Sequence, residues 1–150
     1  MNERAWRVRA MQVSDIAAVL SIQQASPEAA RWTAADYDRA VLHGNCATVA
    51  EGQKGVLGFA VVRIVSDELE ILNMAVRLEA RRQGVASLLL ANALDTGRAS
   101  GARRAFLEVR ESNRAAVAFY ERHGFVLRGR RPRYYTDPVE DALLLACPLG

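Results

Sequence analysis

The sequence predicts a mixed α/β fold, and three observations carry that prediction. Strand-like and helix-like hydrophobic periods alternate along the chain. They give the order strand, two helices, three strands, helix, strand, helix, two strands. Turn and cap chemistry falls at the breaks, with Gly52-Gln53-Lys54-Gly55 as a hairpin turn and Gly101 and Gly124 closing helices.

Each element has its own signal. Trp6 to Met11 alternates apolar and polar, as a half-buried strand does. Ser14 is placed to cap a helix with Ile16, Val19, Leu20 and Gln23 at helical spacing. Thr33-Ala34-Ala35-Asp36 resembles a capping box and opens a second short helix ending near Gly44. Cys46 to Ala50 and Val56 to Val65 read as hairpin strands, and Leu69 to Val76 as a third apolar strand. After a basic stretch at 77–83, Ala86, Leu89, Leu90, Ala93 and Gly97 share one face of a helix that begins at Gly84. Ala105 to Val109 is a strand, Asn113 caps a helix from Arg114 to His123, and Phe125 to Leu127 and Ala142 to Cys147 are the last strands. A loop rich in Arg, Pro and Tyr is expected between those two. The sheet should be mostly antiparallel with flanking helices, and parallel where a helix joins 69–76 to 105–109.

The 150 residues fit one domain, 1–150, with no linker or repeat. Apolar residues make up 51% of them, which excludes a disordered chain. The longest apolar runs, such as Val85 to Ala91, are too short to span a bilayer, and the N-terminus lacks a signal-peptide core. A soluble cytoplasmic protein without a membrane partner is the expectation. Cys46 and Cys147 read as small buried hydrophobes, since two isolated cysteines make neither a disulfide framework nor a zinc site. No metal is expected. Residues 77–133 hold 13 Arg against five Asp and Glu, while the rest hold seven basic and 12 acidic residues. A basic half suits a polyanion such as a nucleotide phosphate or RNA, or is simply a solvated surface.

The strand end at Met74-Ala75-Val76, followed by Arg81-Arg82-Gln83-Gly84-Val85-Ala86-Ser87, carries the strongest chemical signal. Free N–H groups at a helix N-terminus attract anions, Gly84 lets a phosphate approach the backbone, and Arg81 and Arg82 add charge. The other common phosphate loops are absent from the sequence. Arg81-x-x-Gly84-x-Ala86 resembles the Q/R-x-x-G-x-G/A motif of the GCN5-related N-acetyltransferases. Leu107-Glu108-Val109-Arg110, Ser112-Asn113, Ala118-Phe119-Tyr120-Glu121 and Gly124-Phe125 resemble the second half of that family's cofactor site. With Leu72-Asn73-Met74-Ala75-Val76, the spelling is most similar to the RimI type, the ribosomal-protein-alanine N-acetyltransferases. The resemblance is dense from Glu70 to Cys147.

That resemblance implies acetyl-CoA as co-substrate. Met74, Ala75 and Val76 would meet its acyl arm, Arg82 to Ser87 its pyrophosphate, and Asn113 its pantetheine. Two departures stand out: Arg77-Leu78-Glu79-Ala80 replaces the usual Asp-Pro-x-Tyr before the motif, and Ala86 stands where Gly is common.

Acetyl transfer to an amine needs a base for the amine, a donor for the departing thiolate and support for the oxyanion. Glu108 is the candidate base, because an apolar strand desolvates its carboxylate; the bland alternative is a surface Glu paired with Arg110. Tyr120 is the candidate acid, or else a core residue in the stripe Ala116, Phe119, Tyr120, His123. Both match the RimI type's base and proton donor. Backbone N–H near Met74 to Val76 would support the oxyanion. Arg131, Arg133, Tyr134 and Tyr135 are candidates to line the acceptor groove. The acceptor expected is a protein or peptide N-terminus, with alanine first and a ribosomal protein as target. A small amine or a lysine is the rival acceptor. A non-catalytic acyl-CoA or RNA-binding module is the rival class, although no aromatic RNA-binding motif is present.

Overall fold

Eleven regular elements run along the described residues, 6–150, of a computed structural model. They are β1 (Arg7–Ala10), α1 (Ile16–Gln24), α2 (Ala34–Val41), β2 (Ala47–Gly52), β3 (Gly55–Val65), β4 (Glu68–Val76), α3 (Val85–Ala99), β5 (Arg104–Arg110), α4 (Arg114–Arg122), β6 (Val126–Tyr135) and β7 (Glu140–Pro148). Short 3-10 turns lie at Val13–Asp15, Gly44–Cys46 and Leu78–Ala80. Hydrogen bonding orders the strands β1-β2-β3-β4-β5-β7-β6. Pairing is antiparallel for β1–β2, β2–β3, β5–β7 and β6–β7, and parallel for β4–β5 at Glu68–Glu70 against Arg104–Phe106. The expected mixed sheet with its parallel pair at the helical crossover is therefore present.

The chain packs as two compact units: Met1–Arg63 with Leu72–Thr96, of which residues 6 onward are described, and Ile64–Ile71 with Gly97–Gly150. In the first unit, β2 and β3 are covered on both faces. Val49, Phe59 and Val61 pack with Val19, Ile22 and Tyr37 from α1 and α2, whereas Ala50 and Ala60 pack with Val85 and Leu89 of α3. This period of two puts alternate residues of each strand into opposite layers. A Cβ at Gly58 would stand 2.9 Å from Ala75 O and 3.2 Å from the Leu89 side chain. Gly58→Ala should therefore destabilise the protein by about 1–3 kcal/mol through overpacking, read as a lower midpoint in denaturant unfolding.

In the second unit, Ala105, Leu107 and Val109 of β5 are buried with Leu143 and Leu145 of β7. Their neighbours Arg104, Phe106, Glu108 and Arg110 point to the other, more open face. Phe106 lies opposite Ala146, and Glu108 opposite Leu144.

Several boundaries differ from the sequence reading. The first helix is not capped by Ser14. The buried Asp15 carboxylate accepts from Gln12 N–H at 2.8 Å, and the Arg9 guanidinium grips both its oxygens at 2.8 and 2.9 Å. The Thr33 box forms as expected, with Asp36 N–H donating to Thr33 Oγ1 at 3.2 Å and Thr33 N–H to Asp36 at 2.8 Å. The Arg-, Pro- and Tyr-rich segment is not a loop. It is the body of β6, and Phe125 precedes that strand as a buried residue. β6 pairs only with β7 at the end of the sheet, so it needs no apolar alternation, and Pro132 falls in a break of register between Arg131 and Tyr135. The cysteines are half-buried rather than core: Cys46 sits in a 3-10 turn and Cys147 in β7, and burial raises both thiols.

Candidate active site

In the first unit, the predicted anion loop is a turn that leads into the N-terminus of α3. Arg82 adopts a left-handed φ of 62° and Gly84 a φ of 98°. The second value is open to glycine at little cost, and it turns the chain into α3. Leu88 N–H donates to Gly84 O at 3.0 Å. The N–H groups of Val85, Ala86 and Ser87 therefore precede the first intrahelical bond, as at any helix N-terminus. The Arg82 and Gln83 side chains are exposed beside them, and Gln83 Nε2 donates to Glu79 O at 2.9 Å.

Arg81 does something the sequence did not suggest. Its Nε donates to Val76 O at 3.0 Å, and its terminal nitrogen donates to Ser26 Oγ at 2.9 Å and lies 3.9 Å from Glu28. Its charge is thus spent tying the end of β4 to the segment after α1, and Arg82 is left as the cation of the loop. Asn73, buried in β4, makes a second tie to that segment. It exchanges 3.2 Å hydrogen bonds with both backbone groups of Ala30 and donates to Tyr37 Oη at 3.0 Å. Tyr37 Oη in turn hydrogen-bonds Gln23. Asn73 and Arg81 both escape a reading by local pattern, because their partners lie tens of residues away. The only signal in the sequence is a polar residue inside an apolar strand. Met74 and Ala75 are half-buried between them, and Val76 is buried.

In the second unit, Glu108 projects from the open face of β5 with its side chain 13% exposed. Oε2 is buried, and among the described residues it receives no hydrogen bond. Its charge is met instead by Arg131 of β6, whose Nε lies 2.9 Å away without hydrogen-bond alignment. Arg110, the partner expected on the bland reading, is taken elsewhere. It donates to Glu140 at 3.1 Å and to the carbonyls of Thr136 and Pro138, and its guanidinium lies 4.4 Å from the centre of the Tyr135 ring. Burial, and next the nearby Glu108 charge, pushes the Tyr135 phenol up to about 12. Tyr134 and Tyr135 meet edge to face at 5.1 Å, and Arg131 lies 5.5 Å from the Tyr134 ring centre. Arg133 has a φ of 53°, and its N–H is held by Asp141 at 3.0 Å. Of the four predicted acceptor-groove residues, Arg131 and Tyr135 stand close to Glu108, Tyr134 packs on both, and the Arg133 backbone anchors the strand.

Tyr120 is buried in α4, and burial drives its phenol well above its ordinary range, so it keeps its proton through neutral pH. Phe119 and Phe125 pack edge-on against it at 5.1 and 5.3 Å. Asn113 caps the same helix, its Oδ1 accepting from Ala116 N–H at 3.2 Å, which leaves the amide NH₂ outside that bond. The described residues contain no cluster of potential metal ligands, and none of their helices is long and apolar enough to cross a membrane.

Comparison with known proteins decides the family. Residues 14–125 match the model of the acetyltransferase (GNAT) family. The chain belongs to the GNAT acetyltransferases. Membership makes it an acetyl-CoA-dependent N-acetyltransferase. A Bacillus subtilis (strain 168) relative, provisionally named a [ribosomal protein bS18]-alanine N-acetyltransferase, is 35% identical over 140 residues, 92% of each chain. The Escherichia coli (strain K12) [ribosomal protein bS18]-alanine N-acetyltransferase is 40% identical over 94 residues, 61% of this chain and 64% of that one. The crystal structure of the ribosomal-protein-S18-alanine N-acetyltransferase from Escherichia coli superposes with a TM-score of 0.82 at 30% identity, over 97% of this chain and 94% of the other. Ard1 from Thermoplasma volcanium superposes with a TM-score of 0.89 at 30% identity, over 97% and 99%. The RimI-type resemblance therefore extends to sequence relatives and to fold.

Proposed function

We propose that this enzyme acetylates the N-terminal α-amine of a protein or peptide, with alanine as the first residue and a ribosomal protein as the acceptor. The observation that carries this reading is the buried Glu108 Oε2, which receives no hydrogen bond among the described residues, beside Arg131 and Tyr135. An α-ammonium has a pKa of about 7.7–8.0 against about 10.4 for lysine, so one carboxylate suffices to deprotonate it. The rings of Tyr134 and Tyr135 and the Arg133 guanidinium suit the edges and carbonyls of an extended peptide. The relatives whose names specify an alanine acceptor support the same choice. A ribosomal acceptor would put the reaction in the cytoplasm, and we treat 1–150 as one catalytic domain because β3, β4 and α3 each run through both packing units.

The loop fits the co-substrate. Donors at the start of α3, with no Cβ at Gly84 and the Arg82 cation beside them, suit a pyrophosphate. Arg82, Gln83, Gly84, Val85, Ala86 and Ser87 would hold it, Arg81 would fix the strand end at Val76, and the strand at Met74 to Val76 would line the acyl arm. The Asn113 amide would meet the pantetheine. Acetyl-CoA supplies an activated acetyl group and a thiolate leaving group. Glu108 Oε2 accepts a proton from the acceptor's ammonium, giving the neutral amine that attacks the acetyl carbon. The Tyr120 hydroxyl would donate a hydrogen bond, then its proton, to the departing sulfur, and the second proton shed by the acylated nitrogen would restore the phenol.

The test compares kcat/KM for a short peptide with a free N-terminal Ala, the same peptide N-blocked with a free Lys, and polyamines and aminoglycosides. The free N-terminus should give the highest value. A higher value for lysine or a polyamine would remove the proposed acceptor and leave the acetyltransferase.

A further inference from the structure

Arg131 and Glu108 are unequal partners. The carboxylate side chain is 13% exposed and fixed in the middle of β5, whereas the Arg131 side chain is 60% exposed on an end strand. Arg131 also sits where the β6–β7 register breaks, so the backbone there is not locked into a continuous ladder. The Tyr134 face lies within reach of its guanidinium, 5.5 Å away. One partner of this ion pair can leave and the other cannot.

The remaining groups facing Glu108 do not replace that cation. Arg110 on β5 is committed to Glu140 and two carbonyls, Tyr135 on β6 is a neutral phenol, and Leu144 on β7 is apolar. On β4, Glu70 lies opposite Phe106 and brings no cation. Glu108 therefore depends on Arg131 for its counter-charge in the free protein.

We propose that Arg131 is a displaceable counter-ion, holding beside Glu108 Oε2 the place that the acceptor's ammonium takes. The inference rests on Glu108 being the base. A buried carboxylate left without a cation is costly, so the free enzyme keeps one in place. An incoming ammonium relieves Arg131 of that duty charge for charge, and the guanidinium swings out toward solvent and the Tyr134 face. Proton transfer from the ammonium to Oε2 then leaves a neutral amine and a neutral carboxylic acid, so neither group remains as an unpaired buried charge. Arg131 is thus a positioning residue that selects cationic acceptors, because a neutral molecule cannot discharge the pair.

The experiment is steady-state kinetics of Arg131→Met with the N-terminal Ala peptide at saturating acetyl-CoA. Met retains the apolar stem and removes the competing cation. KM for the peptide should fall, by roughly two- to fivefold for a partly exposed pair. Ethylguanidinium should become a competitive inhibitor against the peptide in Arg131→Met and inhibit wild type far less, because wild type already carries a guanidinium there. Arg131→Lys, which restores a cation, should return KM towards wild type and controls for folding. A rise in KM would make Arg131 an ordinary acceptor contact and overturn the proposal, as would an unchanged KM. Glu108→Gln run alongside separates the two ideas. If it keeps its kcat, the base assignment falls; if it loses kcat while Arg131→Met does not lower KM, only the counter-ion falls.

Discussion

Glu108→Gln should lower kcat by roughly 10²–10⁴-fold, the usual range for loss of a general base. The substitution keeps the shape of the side chain on the open face of β5, so Phe106, Leu144 and the buried row Ala105, Leu107 and Val109 keep their packing. It removes the group that accepts the proton at Oε2. Binding of acetyl-CoA should be little changed, because the donors proposed for its pyrophosphate are backbone groups at the start of α3. The measurement is kcat with the peptide acceptor beside a thermal-shift titration with acetyl-CoA. Near-normal turnover at neutral pH would mean that the amine loses its proton directly to water.

The second large effect concerns the α3 loop. Acetyl-CoA should raise the melting temperature of the wild-type protein, since a ligand of the native state stabilises it by about 2.7 kcal/mol at a hundred times its Kd. Reversing Arg82 to Glu together with Gly84→Glu should abolish that rise. Two carboxylates would then face the phosphates, and a side chain at the φ of 98° would distort the turn. The double variant will itself melt lower, so the quantity to compare is the shift on adding acetyl-CoA. A shift of wild-type size would put the cofactor elsewhere on the protein.

What was legible in the sequence was what local chemistry determines. The Thr33 capping box and the Asn113 cap each involve partners three residues apart, and both formed as read. The parallel pair followed from a helix joining two apolar strands. The misread segments have physical causes too. Ser14 lost the capping role because Arg9 clamps Asp15, a contact between β1 and the following turn that no helical pattern encodes. Only the start of β6 was read as a strand, because the rest of an edge strand exposed on both faces has no alternation to show. Within the candidate site, Glu108 stood out by its apolar neighbours, but its counter-ion Arg131 lies 23 residues further on and follows only from the β5–β7–β6 order. The ties that Asn73 and Arg81 make were hidden for the same reason, since Ala30, Tyr37 and Ser26 come to them through the fold.

Acetyl transfer from acetyl-CoA to an N-terminal α-amine can be read on one peptide that carries both kinds of amine. A short peptide with a free N-terminal Ala and an internal Lys is incubated with the enzyme and acetyl-CoA, and tandem mass spectrometry locates the acetyl group. The acetyl group is expected at the α-amine, with the lysine left free while the first equivalent is consumed. Acetyl on the lysine with a free N-terminus would contradict this.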